Sequence, residues 1–146
     1  MSERARRTDE GGQILVIVAV GLVAFLAMVA LVIDGGYAWG RQRDTQNGTD
    51  AAAEAGAVLL AQNLPFKAAG ETAPNTDAEI LAAVQAAATA NGITFDSAEY
   101  TDFDGVPIGA DVGANGSGPP PDAAEGVLAR AEADFDTFLA LSLIHI

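Results

Sequence analysis

Ile14-Leu15-Val16-Ile17-Val18-Ala19-Val20-Gly21-Leu22-Val23-Ala24-Phe25-Leu26-Ala27-Met28-Val29-Ala30-Leu31-Val32-Ile33 carries no charge and no side-chain hydrogen-bonding group. At about 1.5 Å rise per residue, a helix of that length spans roughly the 30 Å hydrocarbon core of a bilayer. Lipid offers the backbone no hydrogen-bond partners, and a helix satisfies its own polar groups within the segment. The stretch therefore predicts a single transmembrane helix over 14–33, and the lipid bilayer is the first expected partner. A cleavable signal peptide is the competing reading, because Arg4, Arg6 and Arg7 precede the run. Its apolar region is usually about 7 to 15 residues long and ends in a small-x-small site. Here the run reaches Asp34 without one, and Ala38-Trp39-Gly40 lies well past its end.

Charge orients the span. Three Arg precede it, and Arg41 and Arg43 follow it. The positive-inside rule counts Lys and Arg near the ends, so the bias favours a cytoplasmic stub over 1–13 and an extracytoplasmic domain over 34–146. The net charge of −13 arises entirely after the helix, where seventeen acids face four bases. So acidic a body is a poor ligand for nucleic acid or anionic lipid. The chain contains no cysteine and a single histidine, His145, which removes thiolate chemistry and leaves almost no imidazole chemistry.

Beyond the span, Tyr37 and Trp39 suit an interfacial aromatic belt, and Gly35-Gly36 weakens the helix where it leaves the membrane. Thr45 to Leu64 is Ala-rich and predicts a helix that Pro65 ends. Gln46, Asp50 and Glu54 recur on one side, and Ala53, Ala57, Leu60 and Leu64 line another, which predicts a packing face of small area. Thr76 with Glu79 forms a capping box for a second helix. Ile80, Leu81, Val84, Ala87 and Ala88 give its apolar face, and Asn91-Gly92 its stop. Ile93-Thr94-Phe95 turns to strand-forming residues, and Asp104-Gly105 marks a hairpin turn between Phe103 and Val106. Residues 109–121 hold four Gly and three Pro and predict a flexible loop. From Gly126 to Phe135, Val127, Ala129, Ala131, Ala133 and Phe135 alternate with Leu128, Arg130, Glu132 and Asp134, as in a strand with one wetter face. The expected class is α+β: a transmembrane helix continuing into an Ala-rich helix, then a helix and a small antiparallel sheet.

Chemical readings fare poorly. Asp102-Phe103-Asp104-Gly105 starts like a calcium loop, but the position for the bidentate acid is Gly113. Asp134 and Asp136 could form an acid pair, yet solvated surface acids are far commoner. No nucleophile, phosphate cradle or metal cluster stands out. The expectation is a protein that is not an enzyme, with no cofactor, no metal and no small-molecule substrate.

Glu10-Gly11-Gly12-Gln13, the apolar run, Ile33-Asp34-Gly35-Gly36-Tyr37, Arg41, Arg43, Gln46-Asn47, Asp50-Ala51-Ala52-Ala53 and Ala55-Gly56-Ala57 together resemble the N-terminal region of TadG-like proteins of the Tad (Flp, tight adherence) pilus system, over about residues 10–60. The chain departs from that pattern at Thr45, Gly48, Thr49 and Glu54. Gly12, Gln13, Asp34, Gly36, Arg41, Gln46, Asp50, Ala51, Ala52, Ala53, Gly56 and Ala57 are the motif and packing candidates that the resemblance implies. It also implies a cytoplasmic-membrane protein that helps to assemble or anchor an adhesive pilus, with other pilus components or pilin-like subunits as partners. Longer members carry a von Willebrand A-type domain whose metal site uses Asp-x-Ser-x-Ser; the nearest fragment here, Asp96-Ser97-Ala98, lacks the second serine. A pilin-like subunit processed into the fibre is the alternative. Such processing cuts after a Gly and places Glu at the fifth mature position, whereas cutting after Gly12 places Ile17 there. Finally, Leu141-Ser142-Leu143-Ile144-His145-Ile146 resembles a translated sequencing-adapter read-through, so truncation at the C-terminus is expected.

Overall fold

The structure is a computed structural model that describes residues 3–133, with side chains described from residue 12. The order of elements is α1 (Glu3–Ala69), α2 (Asp77–Ala90), β1 (Thr94–Thr101), β2 (Pro107–Asp111) and β3 (Gly126–Glu132). The class is α+β, as the sequence predicts. Contacts divide the described residues into a first unit that ends at Gly40 and a second that begins at Arg41.

In the first unit, α1 leaves its apolar side chains uncovered. Leu15 and Leu31 are each 73% exposed, and Ile14, Ile17, Val20, Val23, Phe25 and Met28 are all more than half exposed. In water such a surface would cost about 25 cal/mol for each Å² of apolar area. This is the one helix among the described residues long and apolar enough to cross a membrane. The helix stays regular through Gly35 and Gly36, although each interior Gly costs about 0.5–1 kcal/mol relative to Ala.

The expected stop at Pro65 is corrected. Pro65 lies inside α1, which runs on to Ala69. Lacking an N–H, Pro65 forfeits one bond near the end of the helix, and the stop falls at Gly70, which adopts φ +70°. The Gly70 N–H donates to the Lys67 carbonyl and the Glu71 N–H to the Phe66 carbonyl, the paired bonds of a Schellman motif. Helix α2 closes in the same way: Gly92 (φ +65°) donates to Thr89 and Ile93 to Ala88. At its start, Thr76 and Glu79 form the predicted capping box.

The second unit places α2 and the later part of α1 on a three-stranded antiparallel sheet of order β2-β1-β3. Ala98 pairs with Ala129 and Tyr100 with Val127, while Thr101 pairs with Pro107 on the other side. The β1–β2 turn is closed by the Gly105 N–H on the Asp102 carbonyl, with Gly105 at φ +79°. The Asp102 carboxylate accepts the N–H groups of Asp104 and Val106. Ile80, Val84 and Ala88 of α2 join Ala52 and Leu60 of α1, Ala98, Tyr100 and Ala129 of the sheet, and Val112 and Ala124 in one core. Along β3, Ala129 is buried while Leu128, Arg130 and Glu132 are exposed, which is the expected alternation. Asp134 and the segment after it lie outside the described residues.

Candidate functional site

The face of α1 that packs in the second unit includes the expected Leu60, with Ala53 packed against the core, and is centred on smaller residues. Gly48, Ala52, Gly56, Leu60 and Asn63 are buried, a stripe that recurs every three or four residues on one side of the helix. Ala53 and Ala57 sit beside the stripe and are only half-buried, and Leu64 is exposed. The reason is closeness of approach. A Cβ at Gly48 would stand 2.6 Å from Ile93 Cγ2, and one at Gly56 would stand 2.7 Å from Val84 Cγ2 and 3.3 Å from both methyls of Val127. Ala52 and Gly56 are among the expected packing candidates and Gly48 is not, yet the i, i+4 spacing of Gly48, Ala52 and Gly56 carries the signal. The occupant of this face is the chain's own α2 and sheet.

Gly12, Gln13, Gly36, Arg41, Gln46 and Asp50 are exposed, Ala51 is half-buried, Ala52 is fully buried and Asp34 is buried. Gln46, Asp50 and Glu54 thus form an exposed row, as their spacing predicts.

Two polar constellations hold the second unit together. Asn63 on α1 donates through Nδ2 to the Asn75 carbonyl (2.8 Å) and accepts the Asn75 N–H (3.0 Å). The Asn75 side chain returns a bond to the Leu59 carbonyl. The approach to α2 is thereby fixed to the last turns of α1. The second constellation surrounds Asp77, which is fully buried at the first position of α2. Its Oδ1 accepts the Tyr100 hydroxyl at 2.6 Å and the Gly113 N–H at 2.7 Å, and its Oδ2 accepts the Asn115 N–H at 2.7 Å. In return the N–H groups of Asp77 and Ala78 donate to the carbonyls of Gly118 and Gly116. A buried carboxylate is tolerable when its lone pairs are used in this way. Burial, together with the hydrogen bond to Asp77 and its negative charge, holds the Tyr100 phenol well above its ordinary range. Glu79 is held below the usual carboxylate range by the Thr76 N–H and hydroxyl. The segment read as a flexible loop over 109–121 accordingly begins with three residues of β2 and continues as turns bonded to the start of α2.

A cleft of about 430 Å³ opens at the C-terminal end of α1, lined by Leu60, Leu64, Lys67, Asn75, Pro120 and Ala124 among others. Lys67 donates to the Asp122 carbonyl and stands 3.8 Å from its carboxylate. Among the described residues no group of three or more His, Cys, Asp or Glu is placed to hold a metal ion.

Residues 12–61 match the Tad family model, described as Flp pilus-assembly TadE/G-like. No curated protein and no solved structure gave a match. The matched segment begins just before the apolar run and ends just after Leu60, so it takes in the buried stripe of Gly48, Ala52, Gly56 and Leu60 while leaving out α2 and the sheet. Over residues 12–61 the chain is similar to TadE/G-like Flp pilus-assembly proteins, and this match together with the membrane-capable helix supports a role related to the Tad/Flp pilus.

Proposed function

We propose that this chain is a non-enzymatic, single-pass protein of the cytoplasmic membrane that takes part in assembling or anchoring a Tad/Flp-type adhesive pilus. Its N-terminus lies in the cytoplasm and its α+β domain outside. The observation that carries this reading is the TadE/G-like match over 12–61, which includes both the uncovered apolar helix and the part of α1 that builds the second unit. Its partners are then lipid and other components of the pilus machine. A pilin-like subunit is the second reading, favoured by the continuity of α1 from the apolar segment into a helix packed on an antiparallel sheet. Ile17 at the fifth position after a cut at Gly12 weighs against it.

Deleting the gene and examining both surface fibres and purified pili separates the readings. Loss of fibres on deletion, with the protein absent from wild-type pili, is the expected result. Fibres containing a chain that starts at Gln13 would favour the pilin-like subunit. Normal piliation without the protein would remove the assembly role.

A further inference from the structure

The C-terminal end of α2 and the first turns of α1 in the second unit border a polar cavity of about 370 Å³, lined by Arg41, Asp44, Thr45 and Asn47 of α1 and by Asn91 and Gly92 beyond α2. That volume lies within the range of small-molecule sites. A Cβ at Gly48 would stand 2.6 Å from Ile93 Cγ2 and 3.2 Å from Asn91 Cβ, so the walls of the cavity meet in close contact. Arg41 and Asp44 are both exposed, and among the described residues neither side chain forms an ion pair or a hydrogen bond. A cation and an anion thus line one cavity with their bonding capacity unused. Asn91 donates through Nδ2 to the Ala87 carbonyl at 2.8 Å, which leaves its Oδ1 as an acceptor. The end of α2 adds the negative pole of a helix dipole.

The place of the cavity in the chain points to its ligand. Arg41 follows Ile33, the last residue of the apolar run, by eight residues of the same helix. That is a rise of about 12 Å, and a long Arg side chain reaches back toward the headgroup layer. We propose that the cavity binds the headgroup of a zwitterionic amino-phospholipid of the phosphatidylethanolamine class. Arg41 takes the phosphate, and the primary ammonium goes to Asp44, the Asn91 Oδ1 and the end of α2. The guanidinium presents a planar fork of donors that matches two phosphate oxygens. The ammonium needs acceptors, which Asp44 and Asn91 supply. A trimethylammonium headgroup has no N–H to donate and is recognised by aromatic cages, but among the described residues no aromatic side chain lines this cavity. An anionic headgroup would bring further negative charge to Asp44 and the end of α2, in a chain already at −13. The site rests on the reading of 14–33 as a membrane span and is independent of the pilus role.

The test uses the full chain extracted from membranes in mild detergent. It is incubated with phosphatidylethanolamine, phosphatidylcholine or phosphatidylglycerol of identical acyl chains, and native mass spectrometry counts the lipid retained. Phosphatidylethanolamine should bind about tenfold more tightly than either of the others, the effect of one charge-assisted hydrogen bond. Asp44→Asn should bring the ethanolamine and choline lipids toward parity, and Arg41→Gln should weaken both about tenfold. Arg43→Gln, exposed and outside the cavity, should change nothing. Circular dichroism confirms that each variant is folded. Inorganic phosphate at the lipid's concentration should not displace it. The proposal is overturned if the wild-type chain holds the choline or glycerol lipid as well as the ethanolamine lipid, or if Asp44→Asn keeps the full preference. It is equally overturned if Arg43→Gln acts as strongly as Arg41→Gln, which would mean attraction to a basic flank, or if phosphate alone displaces the lipid, which would mean a site for a free anion. Carbonate extraction reads the span separately. A chain released by carbonate overturns the span and the site together, whereas a chain that stays in the membrane and shows no lipid preference overturns the site alone.

Discussion

A Cβ added to Gly56 would lie 2.7 Å from Cγ2 of Val84, closer than side chains pack without something moving. The two residues meet where α1 crosses α2, and the contact exists because position 56 has no side chain.

Substitution there should be costly. Gly56→Val forces an overpacked contact with both Val84 and Val127, with an expected loss of about 1–3 kcal/mol. Ala57→Val, one position round the helix and half-buried, should cost less. Thermal unfolding of the second unit compares the two, and an equal loss would mean that the helix can roll to accommodate either.

Tyr100 makes the second unit sensitive to alkali. The unfolded phenol ionises near pH 10.0 and the buried one only above that, so the unfolded state releases its proton first. Stability from this group is complete below about pH 10 and falls above it by roughly 1.4 kcal/mol per pH unit, until the folded phenol itself ionises. Tyr100→Phe should remove that slope. It should also cost about 1.5–3 kcal/mol at neutral pH, because a hydrogen bond to a buried carboxylate is lost. Unfolding midpoints measured at pH 8 and pH 11 for both proteins check the sign.

Asp77→Asn should be worse than Tyr100→Phe. The carboxylate accepts three donors, and an amide would turn two hydrogens toward at least one backbone N–H. Denaturant midpoints for the two variants give the ranking.

With Arg4, Arg6 and Arg7 inside, protease added to intact spheroplasts should digest the chain beyond Arg43 and spare the N-terminal stub. Protection of the second unit would overturn the proposed orientation. Neutralising the three N-terminal Arg while adding Lys beyond Arg43 should invert or scramble insertion.

Much of this architecture is legible in local signals. Thr76 and Glu79 cap α2, Asp104-Gly105 turns the hairpin, and the alternation from Val127 to Glu132 marks β3, because each rests on backbone geometry within a few residues. The face of α1 is harder to read. Leu64 and Ala57 look more apolar than Gly48 and Gly56, but the helix is held by how near it comes to Val84 and Ile93. Pro65 reads as a breaker, yet the two bonds around Gly70 set the end. The Asp77 network is invisible in sequence, since Gly113 and Asn115 lie 36 and 38 residues away and only the finished sheet brings them to α2.

That network also determines how the second unit can come apart. One carboxylate holds Tyr100 and the amides of Gly113 and Asn115, while the first amides of α2 are held by Gly116 and Gly118. The turn segment cannot lift away without stripping the start of the helix, and the helix cannot fray without freeing the segment. The two open as one cooperative piece, so the amides of Ala78, Gly113 and Asn115 should share a single hydrogen-exchange opening energy despite their distance along the chain.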